Sequence, residues 1–199
     1  MTGQSKFDIE VFLAKHAKFN TQVQYELEEL QTLIGRVRMV MAEEKALIEI
    51  KIPVNVVGDI HGQYSDLHRI FNANGSPKDN RYLFLGDYID RGPNQLECIC
   101  CLLAHKVAYP DRMYLLRGNH EQEVVNREYG FWAELEKRFP LGLAMVVYKE
   151  FNDLFCHFPL AALIRKKILC MHGGISPQLR SLDDIRDVSH NLKGRRPAW

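Results

Sequence analysis

An excess of charge of either sign is missing from this chain. Its 26 Lys and Arg residues are matched by 25 Asp and Glu over 199 residues, for a formal net charge of +1. That balance gives neither the basic footprint of a nucleic-acid binder nor an acidic excess. Long hydrophobic runs are also missing: no stretch approaches the ~18 apolar residues of a membrane span, and the amino-terminal MTGQSKFDIEVFLAKHAKFN lacks the uninterrupted apolar stretch of a secretory signal. No disulfide framework is suggested, because the five cysteines are odd in number and three of them (Cys98, Cys100, Cys101) share one apolar helical segment. They read as free thiols in a reducing compartment, and not as a zinc finger. Low-complexity segments and a separate linker are absent as well. What remains, with 46% hydrophobic and 26% charged residues, is one domain with a substantial core. The expectation is a soluble protein of the cytoplasm and/or nucleus, with no membrane and no nucleic-acid partner.

The first fifty residues read as helical. Leu27, Leu30, Ile34, Val37 and Met41 recur at 3,4,3,4 spacing, as on a helix laid against a core or, alternatively, a short coiled-coil seam. From residue 50 the pattern changes to short apolar runs, each closed by a glycine-rich polar turn and followed by a helical-looking segment. The runs are Val54–Val57, Tyr82–Leu85, Met113–Leu116 and Ile168–Met171, and the turns that follow read GDIHGQ, GDYIDRG, RGNHE and HGG. Between them Leu67, Ile70 and Phe71 suggest a short helix, Leu96, Ile99, Leu103 and Val107 another that stops near Pro110, and segments 126–139 and 141–157 two more. Alternating strand, turn and helix argues for an α/β layered domain whose sheet presents these turns at the carboxyl ends of its strands. The basic run Arg165-Lys166-Lys167 reads as a solvated turn, with an anion- or nucleic-acid-binding role as the sharper alternative.

The turns carry the chemistry. Asp59 and His61 stand at i and i+2, so an extended backbone sends both side chains to the same side. The second turn adds Asp87, Asp90 and Arg91, the third Asn119 and His120, the fourth His172. Carboxylate, amide oxygen and imidazole suit a divalent ion such as manganese, iron or zinc, and thiolates, which would favour structural zinc, are absent from the turns. A bridging carboxylate holds two ions ~3.5–4 Å apart in two-metal phosphatases and nucleases, and Asp87 is the natural bridge. Such a pair acidifies a shared water and clamps phosphoryl oxygens. By residue type, Arg91 suits forked contact with phosphate. His120 suits protonation of a leaving alkoxide, with Asp90 to hold its ring.

GDIHGQ, GDYIDRG and RGNHE, with Asp59 to Asp87 and Asp87 to Asn119 spaced 28 and 32 residues apart, resemble the signature of the PPP-type serine/threonine protein phosphatases, calcineurin-like metallophosphoesterases. NRYLFLGDY, NREYGFW and HGGISPQL strengthen the resemblance toward the type 1 catalytic subunit, over residues 25 to 188. It implies a central β-sandwich flanked by helices. It further implies two divalent metal ions, Mn2+ foremost with Fe or Zn as alternatives. Asp59, His61 and Asp87 would hold the first, and Asp87, Asn119 and His172 the second. His120 paired with Asp90 would be the general acid, and Arg91 and Asn119 the phosphate contacts. Substrates would be phosphoserine and phosphothreonine on proteins, with regulatory subunits as further partners.

The resemblance also implies a catalytic domain that continues well beyond HGG, whereas this chain ends 27 residues after His172 in KGRRPAW. The expected organisation is an extension over 1–24, an incomplete catalytic domain over 25–188 with part of the sandwich missing, and a divergent tail over 189–199. A further metal histidine, a second phosphate arginine and a tyrosine-bearing loop are expected to be missing, and His190 is in the wrong context to replace the histidine. Gln122 stands where type 1 enzymes often carry cysteine. Two alternatives stand beside a working protein phosphatase: an inactive, phosphatase-like module that binds regulatory subunits or substrates, and a phosphoesterase acting on small diesters or nucleic acid.

Overall fold

A computed structural model describes residues 7–18 and 22–188, so the tail expected at 189–199 lies outside the described residues. In chain order the elements are α1 Ile9–Ala14, α2 Leu27–Ala42, β1 Leu47–Ile50, β2 Asn55–Val57, α3 Tyr64–Asn74, β3 Tyr82–Phe84, α4 Gln95–Ala108 and β4 Met113–Leu115. There follow α5 Glu123–Asn126, α6 Phe131–Arg138, α7 Leu141–Phe155, β5 Ala161–Ile164, β6 Ile168–Met171 and α8 Leu182–Arg186. The strands form two three-stranded sheets. In the first, β2-β3-β4, all strands are parallel; in the second, β1-β5-β6, β1 runs parallel to β5 and β6 antiparallel.

The alternation of side chains explains why these sheets face each other. Tyr82 and Phe84 of β3 join the large cluster built by α2, α4 and α7, while Leu83 between them packs with Ile48 and Ile50 of β1 and Ala162 and Ile164 of β5. β3 is thus buried on both faces, which is why its run reads as continuously apolar and not as alternating. The second sheet's outer face, with Leu47, Ala161 and Leu163, is covered in part by Ile185 of α8. The result is a sandwich with helices on both outer sides.

Three expectations are revised. The fourth apolar run, β6, belongs to the second sheet and not with the other three. The helical reading of the first fifty residues stops short, since Leu47–Ile50 is a strand, and Ala161–Ile164 is a strand without any turn signature after it. Both are short buried runs that follow helices, where periodicity alone cannot separate strand from helix. The helix expected over 126–139 is divided, because Gly130 at φ 135° separates α5 from α6. The stripe on α2 faces the core: Leu30, Leu33, Ile34, Val37 and Met41 are buried and α2 packs on α4 and α7, which excludes the coiled-coil alternative. Among the described residues no helix is long and apolar enough to cross a membrane.

The segment ahead of α2 is fastened to this core. Phe12 is buried in the main cluster, and His16 behind it places Nδ1 2.7 Å from the Tyr64 hydroxyl and Nε2 3.3 Å from the Tyr25 hydroxyl. The backbone N–H of Val23 donates to Glu97 at 3.1 Å, and Arg138 bridges Glu97 at 2.8 Å and Glu134 at 3.1 Å. Burial, reinforced by His105, His68 and Lys15, drives the His16 pKa from 6.5 down to about 3. The native imidazole is therefore neutral where the unfolded one is charged. Its contribution to stability is complete above pH 6.5 and is lost as the pH falls from there toward about 3, by about 1.4 kcal/mol per unit. Urea unfolding at pH 7.0 and 5.5 is expected to show this loss in the parent chain and a visibly smaller one in His16→Gln.

Candidate metal centre

β2, β3 and β4 end side by side, and the turns leaving them are locked to one another by backbone hydrogen bonds. Ile60 and His61 donate to the Asp87 carbonyl at 3.0 and 2.9 Å, and Gly62 donates to that of Tyr88 at 2.9 Å. The turns are sharp. His61, Asp87, Asp90 and Arg91 all have positive φ, at 44°, 57°, 69° and 68°, a region that costs a residue with a Cβ roughly 1–2 kcal/mol. Such strain is held only where the surroundings over-determine it.

Glu121 supplies much of that determination. This fully buried carboxylate accepts from the backbone N–H groups of Asp87 at 2.8 Å, Tyr88 at 3.0 Å and Gly118 at 2.9 Å, tying the second turn to the third. Burial and the neighbouring charge of Asp87 push its pKa up to about 7, against the pull of the three N–H donors. Glu121 is not among the residues singled out from the sequence, although it stands inside RGNHE beside His120; its signal there is a carboxylate in a turn of polar, ligand-type residues. Gly118 is required by close approach, since a Cβ there would lie 2.2 Å from Asp87 Oδ1 and 2.5 Å from its backbone nitrogen.

All eight residues singled out from the sequence converge at this corner, around Asp87. Its Oδ2 lies 3.5 Å from His61 Nε2, 3.3 Å from His172 Nε2 and 3.9 Å from His120 Nε2, while Oδ1 accepts from the His120 backbone N–H at 3.0 Å. Asp59, half-exposed, stands 3.9 Å from both His61 Nε2 and His172 Nδ1. Asn119 Oδ1 is 2.9 Å from His172 Nε2. Asp90 is fully buried, its Oδ2 2.6 Å from His120 Nδ1 and its Oδ1 2.9 Å from the Phe131 backbone N–H. Arg91, on the exposed side, places Nη2 3.3 Å from His120 Nε2. Potential ligand atoms fall into two groups sharing Asp87, one with His61 and His120, the other with Asp59 and His172. Asp59 thus sits with His172 as closely as with His61, a partition the motif alone could not reveal.

The protonation pattern follows. Burial acts to raise the Asp87 pKa, but the His172 hydrogen bond, the His120 N–H and the two imidazoles hold it below the ordinary carboxylate value. The hydrogen bond to Asp87 raises His172. Burial raises Asp90 against its bonds to His120 and Phe131. These donors fit a divalent ion. His61 Nδ1 lies 2.7 Å from the Ile89 carbonyl, which requires a proton on Nδ1 and turns the Nε2 lone pair toward Asp87 and Asp59. At His172, Nε2 faces two oxygens and Nδ1 is buried with no hydrogen-bond partner; a cation among these oxygens and nitrogens satisfies what a single proton leaves unsatisfied. His120 is different, because Asp90 holds Nδ1 and the Arg91 guanidinium faces Nε2. A second cation on that nitrogen would face Arg91 directly.

A parallel-strand layer ending in linked turns, with oxygen and imidazole ligands around one buried carboxylate, is the architecture of a metallophosphoesterase. Residues 52–197 match the model of the calcineurin-like phosphoesterases, and the chain belongs to that family. Among solved structures it is similar to a protein serine/threonine phosphatase from Saccharomyces cerevisiae described as similar to human phosphatase PP5. The TM-score is 0.78 at 28% identity, over 84% of this chain and 54% of that one. The chain therefore spans about half the length of that structure. A second structure, described as a candidate diadenosine tetraphosphatase, aligns over 68% of this chain and 58% of its own at 20% identity, with a TM-score of 0.44.

Replacing Gly118 by Ala forces a methyl group against Asp87 and Glu121. The expected cost is about 1–3 kcal/mol of stability with weakened Mn2+ binding, read by urea unfolding and titration calorimetry. A variant as stable as the parent would show that the turns have room the distances deny.

Proposed function

We propose that this chain is a metal-dependent phosphomonoesterase acting on phosphoserine and phosphothreonine of proteins. The observation that carries the reading is the convergence of three imidazoles from three turns within 3.3–3.9 Å of one Asp87 oxygen, beside a buried His120–Asp90 pair and an exposed arginine. The likeness to a serine/threonine phosphatase supports the substrate class.

In this reading two divalent ions, Mn2+ foremost with Fe or Zn as alternatives, would be held by Asp59, His61, Asp87, Asn119 and His172. Bound there, the ions supply Lewis acidity that lowers the pKa of water and neutralises phosphoryl oxygens. The remaining work belongs to the chain. Arg91 reaches from the exposed rim to fork onto two phosphate oxygens. Asn119 turns Oδ1 toward His172, which leaves its amide N–H groups for phosphate. As Arg91 takes up the phosphate, His120 Nε2 is released to carry a proton to the leaving seryl or threonyl oxygen. Asp90, at 2.6 Å from Nδ1, orients the ring and stabilises its charged form. Phosphoproteins are the substrates, and regulatory subunits the further partners.

The discriminating measurement pairs Mn2+ titration calorimetry with turnover of a phosphopeptide and a phosphodiester. Asp87→Asn is expected to abolish metal binding. His120→Ala is expected to keep it and lower kcat by ~10²–10⁴. A metal-loaded parent chain without turnover would make the protein a phosphatase-like binding module instead, and preference for the diester would overturn the substrate class.

His172 must shed its proton to ligate, and its pKa lies above the ordinary histidine value. Apparent Mn2+ affinity is therefore expected to rise with pH through that raised pKa and to fall below it, by up to about tenfold per unit for one proton. Calorimetry in buffers of different ionisation enthalpy counts the protons released.

A further inference from the structure

The outer face of the β1-β5-β6 sheet is covered over only part of its length. Ile185 of α8 packs on Leu47 and Ala161, while the end that carries Glu49 and Leu163 opens as a groove of about 590 Å³. Leu163 of the outer face forms part of its lining, and Ile52, 48% exposed, supplies apolar surface. The lining also includes Lys51, Arg165 and Lys166, and Lys167 follows in the chain; all four are exposed. Among the described residues none of these cations is in ion-pair contact with a carboxylate, and the single acid of the groove, Glu49, already faces Arg186 at 4.0 Å. Among the described residues β1 is moreover an edge strand, paired with β5 alone.

The turn that displays the cations is built against its own backbone preference. Lys167 N–H donates to the Ile164 carbonyl at 3.0 Å, and the two residues between, Arg165 and Lys166, have φ of 48° and 58°. A tight turn with both central residues in the left-handed region favours Asn-Gly. Arg-Lys there is strained, and strain of this kind collects at sites where the side chains are used.

We propose that this groove docks a short, extended, acidic segment of a partner protein, with one apolar side chain in the groove and carboxylates on either side meeting Lys51, Arg165 and Lys166. Charge complementarity selects the occupant. The chain's own residues 189–199 carry Lys193, Arg195 and Arg196 and no acid, so the cations disfavour them. The free edge of β1 offers main-chain hydrogen bonds to an added strand, and the groove gives the side-chain selectivity, as in other strand-addition complexes. The groove lies toward the Ile168 end of β6, opposite the end that leads to His172, so docking would recruit a partner without touching the ligands around Asp87.

The test uses fluorescence anisotropy with a labelled peptide in which a leucine is flanked on each side by two glutamates, its lysine-flanked counterpart, and a labelled single-stranded oligonucleotide. The acidic peptide is expected to bind, about tenfold or more weaker at high salt, and the lysine peptide not to bind. The double variant Arg165→Asn, Lys166→Gly gives the turn the residues its backbone favours. It should melt at a higher temperature than the parent yet bind the acidic peptide at least about tenfold more weakly. Equal peptide affinity in parent and variant would overturn the proposal. So would equal capture of the oligonucleotide, which would mark a generic cationic patch, or self-association of the parent that the variant abolishes, which would make a second copy the occupant.

Discussion

The arrangement of this corner of the molecule depends on one buried carboxylate whose partners are backbone N–H groups. Glu121 is sealed from water and receives three backbone N–H groups from two different turns. Those donors would otherwise be buried and unpaired, at a cost of about 1–3 kcal/mol each. Because two of them belong to Asp87 and Tyr88, the same contacts hold Asp87 in its left-handed conformation and aim its side chain at the imidazoles. The cluster of imidazoles and carboxylates around Asp87 is thus a consequence of backbone satisfaction first and of side-chain chemistry second. Gly118, with no room for a Cβ, is the steric counterpart of the same constraint.

The layers behind the site make that constraint rigid. β3 is buried on both sides, toward the helical cluster through Tyr82 and Phe84 and toward the opposing sheet through Leu83. A strand so enclosed cannot shift its register without turning a whole row of side chains to the wrong face. Asp87, three residues beyond its last strand residue, inherits that fixed position. The His120–Asp90 pair has further anchors of its own, through the Phe131 N–H and the Gln95 side chain to Asp90, besides the His120 N–H that donates to Asp87.

How much of this was legible in the sequence depended on the period of each segment. Val54–Val57, Tyr82–Leu85 and Met113–Leu116 were found because each is an apolar run cut off by a glycine turn, and the structure shortens each by only one residue. Ala161–Ile164 was missed because its four buried residues end in a cationic turn with no glycine. The placement of β6 in the second sheet was invisible because periodicity says nothing about which sheet a strand joins. The eight residues that gather around Asp87 are legible because each stands in a polar turn directly after an apolar run. Glu121 and Gln95 were passed over because residues that satisfy backbone groups look, in sequence, like any polar neighbour. The nearness of Asp59 to both His61 and His172 was likewise a fact of three-dimensional placement.

The side chains gathered around Asp87 come from both layers of the sandwich: Asp59, His61, Asp87 and Asn119 follow strands of one sheet, and His172 follows β6 of the other. An ion held among them is then a rivet between sheets, and its binding energy is also energy of interlayer adhesion. The coupling runs in both directions. Whatever presses β6 inward would tighten the grip on such an ion, and whatever pries that strand away would release it, so a force applied to the second sheet would act as a dial on metal occupancy.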